Sequence, residues 1–260
     1  MTTPRRPGPS PGGVTTAVLG PLLRLDPHRP RLTWYSGLGR TELSTASLAN
    51  WSAKVAGLLR DELAAAPGAT IAVLTTPSWQ SAPILLGAWW AGLTVTDRDD
   101  PSAVAAFVDG GDDAAADEVF VVSGHPLGAP STGVEPHQRD FSTAVLAQAD
   151  RFEPMAPLPA PESAAVTTQS GVTTVADLLA SAGRSAGRIG PGGRVLSMMD
   201  MTLPQGVAAG LLGALDADGS LVQVTSDHRP ATAGLAGLAR DERVTATLGV
   251  DVEGFRRLDG

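Results

Sequence analysis

Residues 64–96 carry no charged side chain, and this stretch limits what the chain can fold into more than any other. So long an apolar run belongs inside a membrane or inside a protein. A bilayer-spanning helix needs roughly 20 continuous apolar residues, and Pro67, Pro77, Ser78, Gln80 and Pro83 cut the run into shorter pieces. The reading is therefore a buried strand followed by a buried helix, with no membrane span. Residues 70–75 are apolar without alternation, as expected of a strand whose sheet is covered by helices on both faces. Ser78 opens a helix that runs through Ala91 and is stopped by Gly92. Residues 93–96 form the next strand.

The same alternation extends in both directions. Residues 14–25 read as a short amphipathic helix limited by Pro21. Two β-prone runs, 31–36 and 40–43, flank Gly37 and Gly39 as a hairpin. Ser44 or Thr45 caps a helix in which Leu48, Trp51, Val55, Leu58 and Leu59 recur at helical spacing. Beyond residue 96 the pattern predicts a helix at 101–108, a break at Gly110-Gly111 and a strand at 118–123. Residues 124–161 are rich in proline and weak in strand signal, apart from a helix within 140–152. The periodicity then returns, with helices at 175–186, 203–215 and 230–240 and strands at 194–198, 220–225 and 244–249. Strand and helix alternating through short links imply an α/β fold with a mainly parallel sheet.

Composition narrows the function. The 260 residues carry a formal charge of −8, which offers no long-range attraction to a nucleic acid polymer or an anionic bilayer. The absence of cysteine closes disulfide, thiolate-metal and thiol-redox chemistry and fits a reducing cytoplasm, the expected location. Residues 1–13, with four prolines after Arg5-Arg6 or flanking them, read as a disordered tail rather than a secretory signal.

The chemistry is densest at 164–179, where an apolar run meets hydroxyl side chains around one glycine and then passes into a helical pattern. Thr168, Ser170, Gly171, Thr173 and Thr174 have the layout of a loop that turns backbone N–H groups toward an anion. The loop carries no lysine or arginine. Read without a ligand, it is a strand-to-helix turn in which Thr173 or Thr174 caps the helix.

Several stretches carry a family resemblance. Leu32-Thr33-Trp34-Tyr35 with Glu42-Leu43, residues 51–59, Pro67-Gly68-Ala69-Thr70-Ile71 and Ala88-Trp89-Trp90-Ala91-Gly92 follow one another at the spacing of the N-terminal region of acyl-adenylate-forming (AMP-binding) enzymes. Arg194-Val195-Leu196, residues 211–215, Gly219 and Leu221-Val222 extend the match over most of residues 30–230. The chain resembles a short group of such proteins. The resemblance implies parallel sheets covered by helices, as in the N-terminal subdomains of that superfamily, with the C-terminal domain absent. It implies a first α/β unit at 30–123, a connector at 124–161 and a second unit at 162–250. It also implies that the Ser/Thr loop corresponds to the family's phosphate loop, of the form Thr-Ser-Gly-Thr-Thr-Gly-x-Pro-Lys-Gly, and that any cofactor would be ATP or AMP with Mg²⁺. The later glycines, the proline and the lysine of that loop are missing here. A lost charge-assisted contact of that kind is worth about 1.5–3 kcal/mol.

The expectation is a degenerate AMP-binding-enzyme-like protein, not competent for adenylation alone, that binds a nucleotide or acyl ligand weakly or not at all. The alternatives are an acyl-CoA-synthetase-like ligase completed by a partner chain and a structural module that dimerises or docks through exposed tryptophan. No residue is assigned to catalysis. A triad of Ser170, His228 and Asp227 lacks the sequence context of a hydrolase nucleophile. No metal is assigned either: His125, His137, Asp140 and Asp150 have no spacing that requires convergence, and Asp99-Asp100 and Asp112-Asp113 read as solvated pairs. Lys54 has no catalytic context. Asp200 and Asp227-His228-Arg229 follow strand C-termini, where α/β sheets build sites.

Overall fold

Local sequence rules set the first elements. In the computed structural model, which describes residues 13–154, 158–228 and 234–258, helix α1 spans Gly13–Leu25 and buries Val14, Val18, Leu19 and Leu22 along one side. The tail assigned to 1–13 lies outside the described residues except for Gly13, which opens this helix. Strands β1 (Pro30–Ser36) and β2 (Gly39–Ser44) form the expected hairpin. Ser44 then caps α2 (Thr45–Gly57) by accepting from the Ser47 N–H at 3.1 Å, satisfying one of the orphan donors of a helix start. The helix ends in a π-helical turn, Leu58–Glu62.

The remaining elements alternate only in part, with four strands in succession after α3 (Ser81–Trp90). They are β3 (Thr70–Val73), α3 (Ser81–Trp90), β4 (Thr94–Thr96), β5 (Ala105–Val108), β6 (Val119–Val121), β7 (Arg139–Asp140) and α4 (Phe141–Leu146). There follow β8 (Ala164–Thr168), β9 (Gly171–Thr174), α5 (Val175–Ile189) and β10 (Arg194–Ser197). A helical run comprises α6 (Gln205–Val207), a second π-helical turn (Ala208–Leu212) and α7 (Gly213–Asp216). The described residues end with β11 (Ser220–Val224), α8 (Gly234–Asp241), β12 (Ala246–Leu248) and β13 (Arg256–Arg257).

Two mostly parallel sheets result. One has the order β13-β12-β10-β11-β1-β2 and the other β7-β6-β5-β3-β4-β8-β9, with β2 and β9 the antiparallel edges. Sheet membership therefore cuts across the sequence division at 124–161. The hairpin β1–β2 leaves the first stretch to pair with β11, Leu32 opposite Leu221, and β8 leaves the second to pair with β4.

One continuous apolar core fills the space between the sheets, formed by α1, α2, α3, α5, α7 and the inward sides of both. The outer sides carry smaller clusters, one around Ala106, Val119 and Val121 and one where Ala239 of α8 meets Leu196 and Val222. Residue size follows this asymmetry. Phe107 and Phe120 point inward, stacked at 5.6 Å and met edge-on by Phe141, while alanine and valine face out. Helices α2 and α3 approach so closely at Gly87 that an added Cβ would lie 2.5 Å from Val55 Cβ and 2.7 Å from the Ser52 carbonyl.

Two expectations are corrected. The segment expected as a helix at 101–108 is strand β5, hydrogen-bonded in parallel between β3 and β6. Its apolar run has no periodicity of its own, and tertiary pairing decides. The segment expected as a loop at 168–174 is the β8–β9 hairpin. Of the tryptophans, Trp34, Trp79 and Trp89 are buried, with Trp89 Nε1 donating to the Ala165 carbonyl at 2.9 Å, while Trp51 and Trp90 are half-buried. Trp51 meets Trp79 edge-on and Trp90 meets Phe152.

Candidate active-site crevice

Parallel strands from both sheets end along one side of the molecule, and the loops that leave them enclose a crevice in two connected parts. The first, about 320 Å³, lies among Val73, Thr75, Pro77, Leu85, Asp97, Asp200, Met201 and Leu203. The second, about 380 Å³, shares Thr75 and Pro77 and continues past Trp34, Ser36, Leu38, Asp109, Ser123, Thr225 and Asp227. Residues just past the ends of β3, β4, β5 and β6 form one wall and those past β1, β10 and β11 the other. This is the edge at which open α/β sheets hold ligands. A larger hollow of about 500 Å³ beside Pro67 and Gly92 lies before β3 and β4, at the opposite strand ends.

Four aspartates from four strand ends line the crevice, and among the described residues neither part is lined by lysine, arginine or histidine. Asp109 follows β5 and clamps the loop dividing the two parts. It accepts from the Thr75 hydroxyl at 2.5 Å, the Thr76 hydroxyl at 2.5 Å and the Thr76 N–H at 2.8 Å. Asp227 follows β11 and accepts from the Thr225 hydroxyl and from the Gly37 N–H at 3.0 Å. The Thr225 hydroxyl and the Gly37 amide together outweigh a desolvation penalty and hold its carboxyl below the usual range. A Cβ at position 37 would lie 2.7 Å from an Asp227 carboxylate oxygen, so a larger residue there would displace this carboxylate. Asp97 and Asp200 are exposed at the two sides of the smaller part.

The residues of the Ser/Thr segment lie beside this crevice, not around it. Thr168 ends β8 and Gly171 begins β9, so the turn between them is Gln169-Ser170. The Ser170 N–H donates to Thr168 Oγ1 at 3.2 Å, and Gly171 adopts a φ of +125°. Thr173 pairs with Val166 across the hairpin. Thr174 caps α5, its oxygen accepting from the Asp177 N–H at 3.1 Å while its proton goes to the Asp177 carboxylate at 2.8 Å. Thr96 lies opposite Thr167 in the sheet, which sets Asp97 next to Thr168 at the adjoining strand ends.

The other singled-out residues are placed apart. His228 packs on the Tyr35 ring at 5.1 Å, and Arg229 lies outside the described residues. His137 meets Asp113 at 3.1 Å on the surface, and His125 Nδ1 accepts from the Leu127 N–H. Asp140 caps α4. Lys54 braces the loop after α4, donating to the Gln148 carbonyl at 2.6 Å and pairing with Asp150 at 3.0 Å. Asp100 is held by Ser102, and Asp99 by the Ala115 N–H. Among the described residues no three of His, Asp and Glu converge as a metal set, and no helix is long and apolar enough to cross a membrane. Sequence reasoning singled out Asp200 and Asp227 but missed Asp97 and Asp109. Asp97 directly follows the strand expected at 93–96, whereas Asp109 follows a segment expected as a helix, so only the first carried a legible signal.

The chain is 37% identical over 261 residues to a "TIGR03089 family protein" of Mycobacterium tuberculosis (strain ATCC 25618 / H37Rv), covering 95% of this chain and 100% of the relative. No protein-family model matches the sequence. Among solved structures it resembles an acyl-CoA synthetase of Brucella canis, with a TM-score of 0.75 at 17% identity over 94% of this chain and 48% of that one. It also resembles the coronafacic acid ligase of Pectobacterium brasiliense, with a TM-score of 0.70 at 11% identity over 91% and 50%. A fatty acyl CoA synthetase of Mycobacterium tuberculosis gives 0.67 at 12% identity over 91% and 49%. The chain thus spans about half the length of the solved structures it matches. The likeness is one of fold: mostly parallel sheets flanked by helices, as in the N-terminal subdomains of adenylate-forming enzymes.

Proposed function

This chain belongs to the TIGR03089 family, and we propose that it is a degenerate relative of the acyl-adenylate-forming enzymes whose own residues do not form an acyl adenylate. The observation that carries this reading is the two-residue turn at Gln169-Ser170. A phosphate cradle needs several backbone N–H groups aimed at one point and a cation to neutralise charge. Here the Ser170 N–H is bound to Thr168 and the Thr174 hydroxyl is committed to Asp177. No basic residue lies in the turn, and Asp97 stands at the adjoining strand end.

The residues therefore do not fit ATP or AMP with Mg²⁺ at this hairpin. Thr168, Ser170, Gly171, Thr173 and Thr174 mark the fold and do not hold a nucleotide. The aspartate-lined crevice adds to this, since four carboxylates with no base facing them among the described residues repel a triphosphate and an ionised carboxylic acid alike. No reaction step is assigned to either.

The test is calorimetric titration of the full chain with MgATP and with AMP, together with pyrophosphate release over a panel of carboxylic acids. No heat and no stabilisation are expected at millimolar nucleotide. Acid-dependent pyrophosphate release by the chain alone would overturn the reading. Release only when a second protein is added would establish a ligase completed by a partner.

A further inference from the structure

Far from the crevice, the hollow beside Pro67 continues across Trp90 into a second one. The first, about 500 Å³, has walls of Ala65, Pro67, Trp90, Pro154 and Pro159. The second, about 460 Å³, shares Trp90 and Pro154 and runs along α1 at Gly20 and Leu23 to Phe152 and Leu158. We propose that the two form one trough that docks the chain's own residues 1–12 as a proline-rich, basic segment. The inference is independent of the hairpin that carries the reading above.

The aromatic part of the wall is braced from within. Trp90 stands edge-on to Phe152 at 5.9 Å, and the Arg60 guanidinium lies over the Phe152 ring at 4.0 Å. Of the polar side chains on the trough, Arg60 is committed to Asp61 and the Glu153 carbonyl, and the Thr15 hydroxyl to the Leu86 carbonyl. The others keep unused capacity. Trp79 and Trp89 donate their indole N–H to the His125 and Ala165 carbonyls, whereas the Trp90 N–H meets no acceptor among the described residues and is open to solvent. The Thr16 hydroxyl meets no partner among them either, and the Glu153 carboxylate meets no donor. Two donors and one carboxylate set in apolar walls suit a peptide of proline and arginine. Proline brings carbonyl acceptors, has no backbone N–H in need of a partner, packs its ring on aromatic faces, and has its φ fixed before it binds. Arginine answers the carboxylate.

Residues 1–12 have that composition, with Pro4, Pro7, Pro9 and Pro11 around Arg5-Arg6 and no acidic residue. They join the described residues at the trough itself. Gly13 opens α1, and a Cβ there would lie 3.6 Å from Pro159 Cγ and 3.5 Å from the Trp89 carbonyl oxygen. Pro159 belongs to the wall of the first hollow, and Thr16 and Glu153 line the second together. A proline-rich segment advances about 3.1 Å per residue, so the stretch from Arg5 to Gly13 spans roughly 25 Å, ample to carry the arginines to Glu153. A covalently joined segment is also present at an effective concentration on the order of millimolar, an advantage that a second copy or a foreign peptide lacks.

The experiment uses the full chain labelled with 5-fluorotryptophan, whose five tryptophans give five ¹⁹F lines, with Trp90→Phe identifying one of them. Changing the four prolines of residues 1–12 to serine and Arg5 and Arg6 to glutamate is expected to move the Trp90 line and leave the other four in place, which also shows that the fold is intact. A synthetic peptide of residues 1–12 at millimolar concentration should return the line in that variant, and a glycine-serine peptide of equal length should not. Glu153→Lys should lower the ratio of docked to undocked segment about two- to five-fold, the scale of an exposed ion pair, and move the line part of the way. Arg5→Glu with Arg6→Glu should restore it in that background. A Trp90 line indifferent to the prolines and arginines would overturn the proposal, as would an equal response to the glycine-serine peptide or movement of all five lines. A line position that changes on dilution would assign the segment to a second copy and overturn the intramolecular contact.

Discussion

Replacing Glu242 with glutamine tests how the outer side of the first sheet is held together. The Glu242 side chain is 10% exposed, follows α8, and receives three donors from three strands. These are the Tyr35 phenol at 2.6 Å, Arg40 Nε at 3.0 Å and the Arg194 guanidinium. Arg194 also reaches Thr33 and Ser220, so one carboxylate braces β1, β2, β10 and β11. Burial opposes the charge on Glu242, yet the bonds from Tyr35, Arg194 and Arg40 outweigh it and hold its carboxyl below the usual range. Burial, reinforced by the nearby Glu242 charge, pushes the Tyr35 phenol up, which keeps it a donor at neutral pH.

Glutamine keeps the shape and removes the charge. Two charge-assisted bonds to arginine are weakened at about 1.5 kcal/mol each, so Glu242→Gln is expected to lose about 3 kcal/mol near neutral pH. The pH dependence is the sharper part. Because the folded carboxyl is depressed, its contribution is present above the unfolded value, about pH 4.5, and is lost as pH falls through the folded value. A protonated Glu242 resembles glutamine, so the gap between the two proteins should close below about pH 4.5, at no more than about 1.4 kcal/mol per pH unit. Urea unfolding followed by far-UV circular dichroism across that range measures the gap directly. A gap below about 0.5 kcal/mol at neutral pH, the scale of an ordinary surface change, would refute the reasoning. A gap that stays constant down to the lowest pH at which both proteins fold would do so as well.

Three further outcomes are expected. Gly87→Ala should destabilise by about 1–3 kcal/mol by overpacking the α2–α3 contact, and a companion Val55→Ala should restore part of the loss in the same unfolding assay. Thr174→Ala removes the cap of α5 and should lower stability by about 1 kcal/mol, with Thr174→Ser recovering most of it. Arg31 is fully buried and donates to Thr45, Asp218 and Gly219. Asp218 is itself 41% exposed, so Arg31→Met leaves no buried charge unpaired but leaves the Thr45 and Gly219 acceptors without their donor, and should cost about 1–3 kcal/mol; a melting temperature equal to that of the parent would show that the network adds nothing.

Sequence reasoning recovered what local rules determine. A cap at Ser44 or Thr45, the Gly37 turn and the apolar sides of α1 and α2 follow from spacing and residue type, and the structure has them, with Ser44 as the cap. It failed where local and tertiary preferences part. Residues 103–108 have no period, and only their pairing between β3 and β6 makes Ala105–Val108 a strand. Val172, Thr173 and Thr174 are β-branched and pointed to a strand, but the hydroxyls drew the reading toward a loop. The crevice was half legible. Asp200 and Asp227 were found by their place after strands, whereas their proximity to Asp97 and Asp109 comes from a sheet order that no single segment encodes.

That sheet order also governs how the chain is made. Arg31 binds the Gly219 carbonyl, 188 positions later in the chain, and β1 waits for β11 to complete its sheet. During synthesis from the N-terminus, the hairpin leaves the ribosome long before its partner strand exists. Until then one long edge of the hairpin is unpaired, an edge that can recruit other chains. A chain cut within 124–161 would not yield two folding units, since each half would hold strands whose neighbours lie in the other. The two halves are expected to recover the fold only when expressed together.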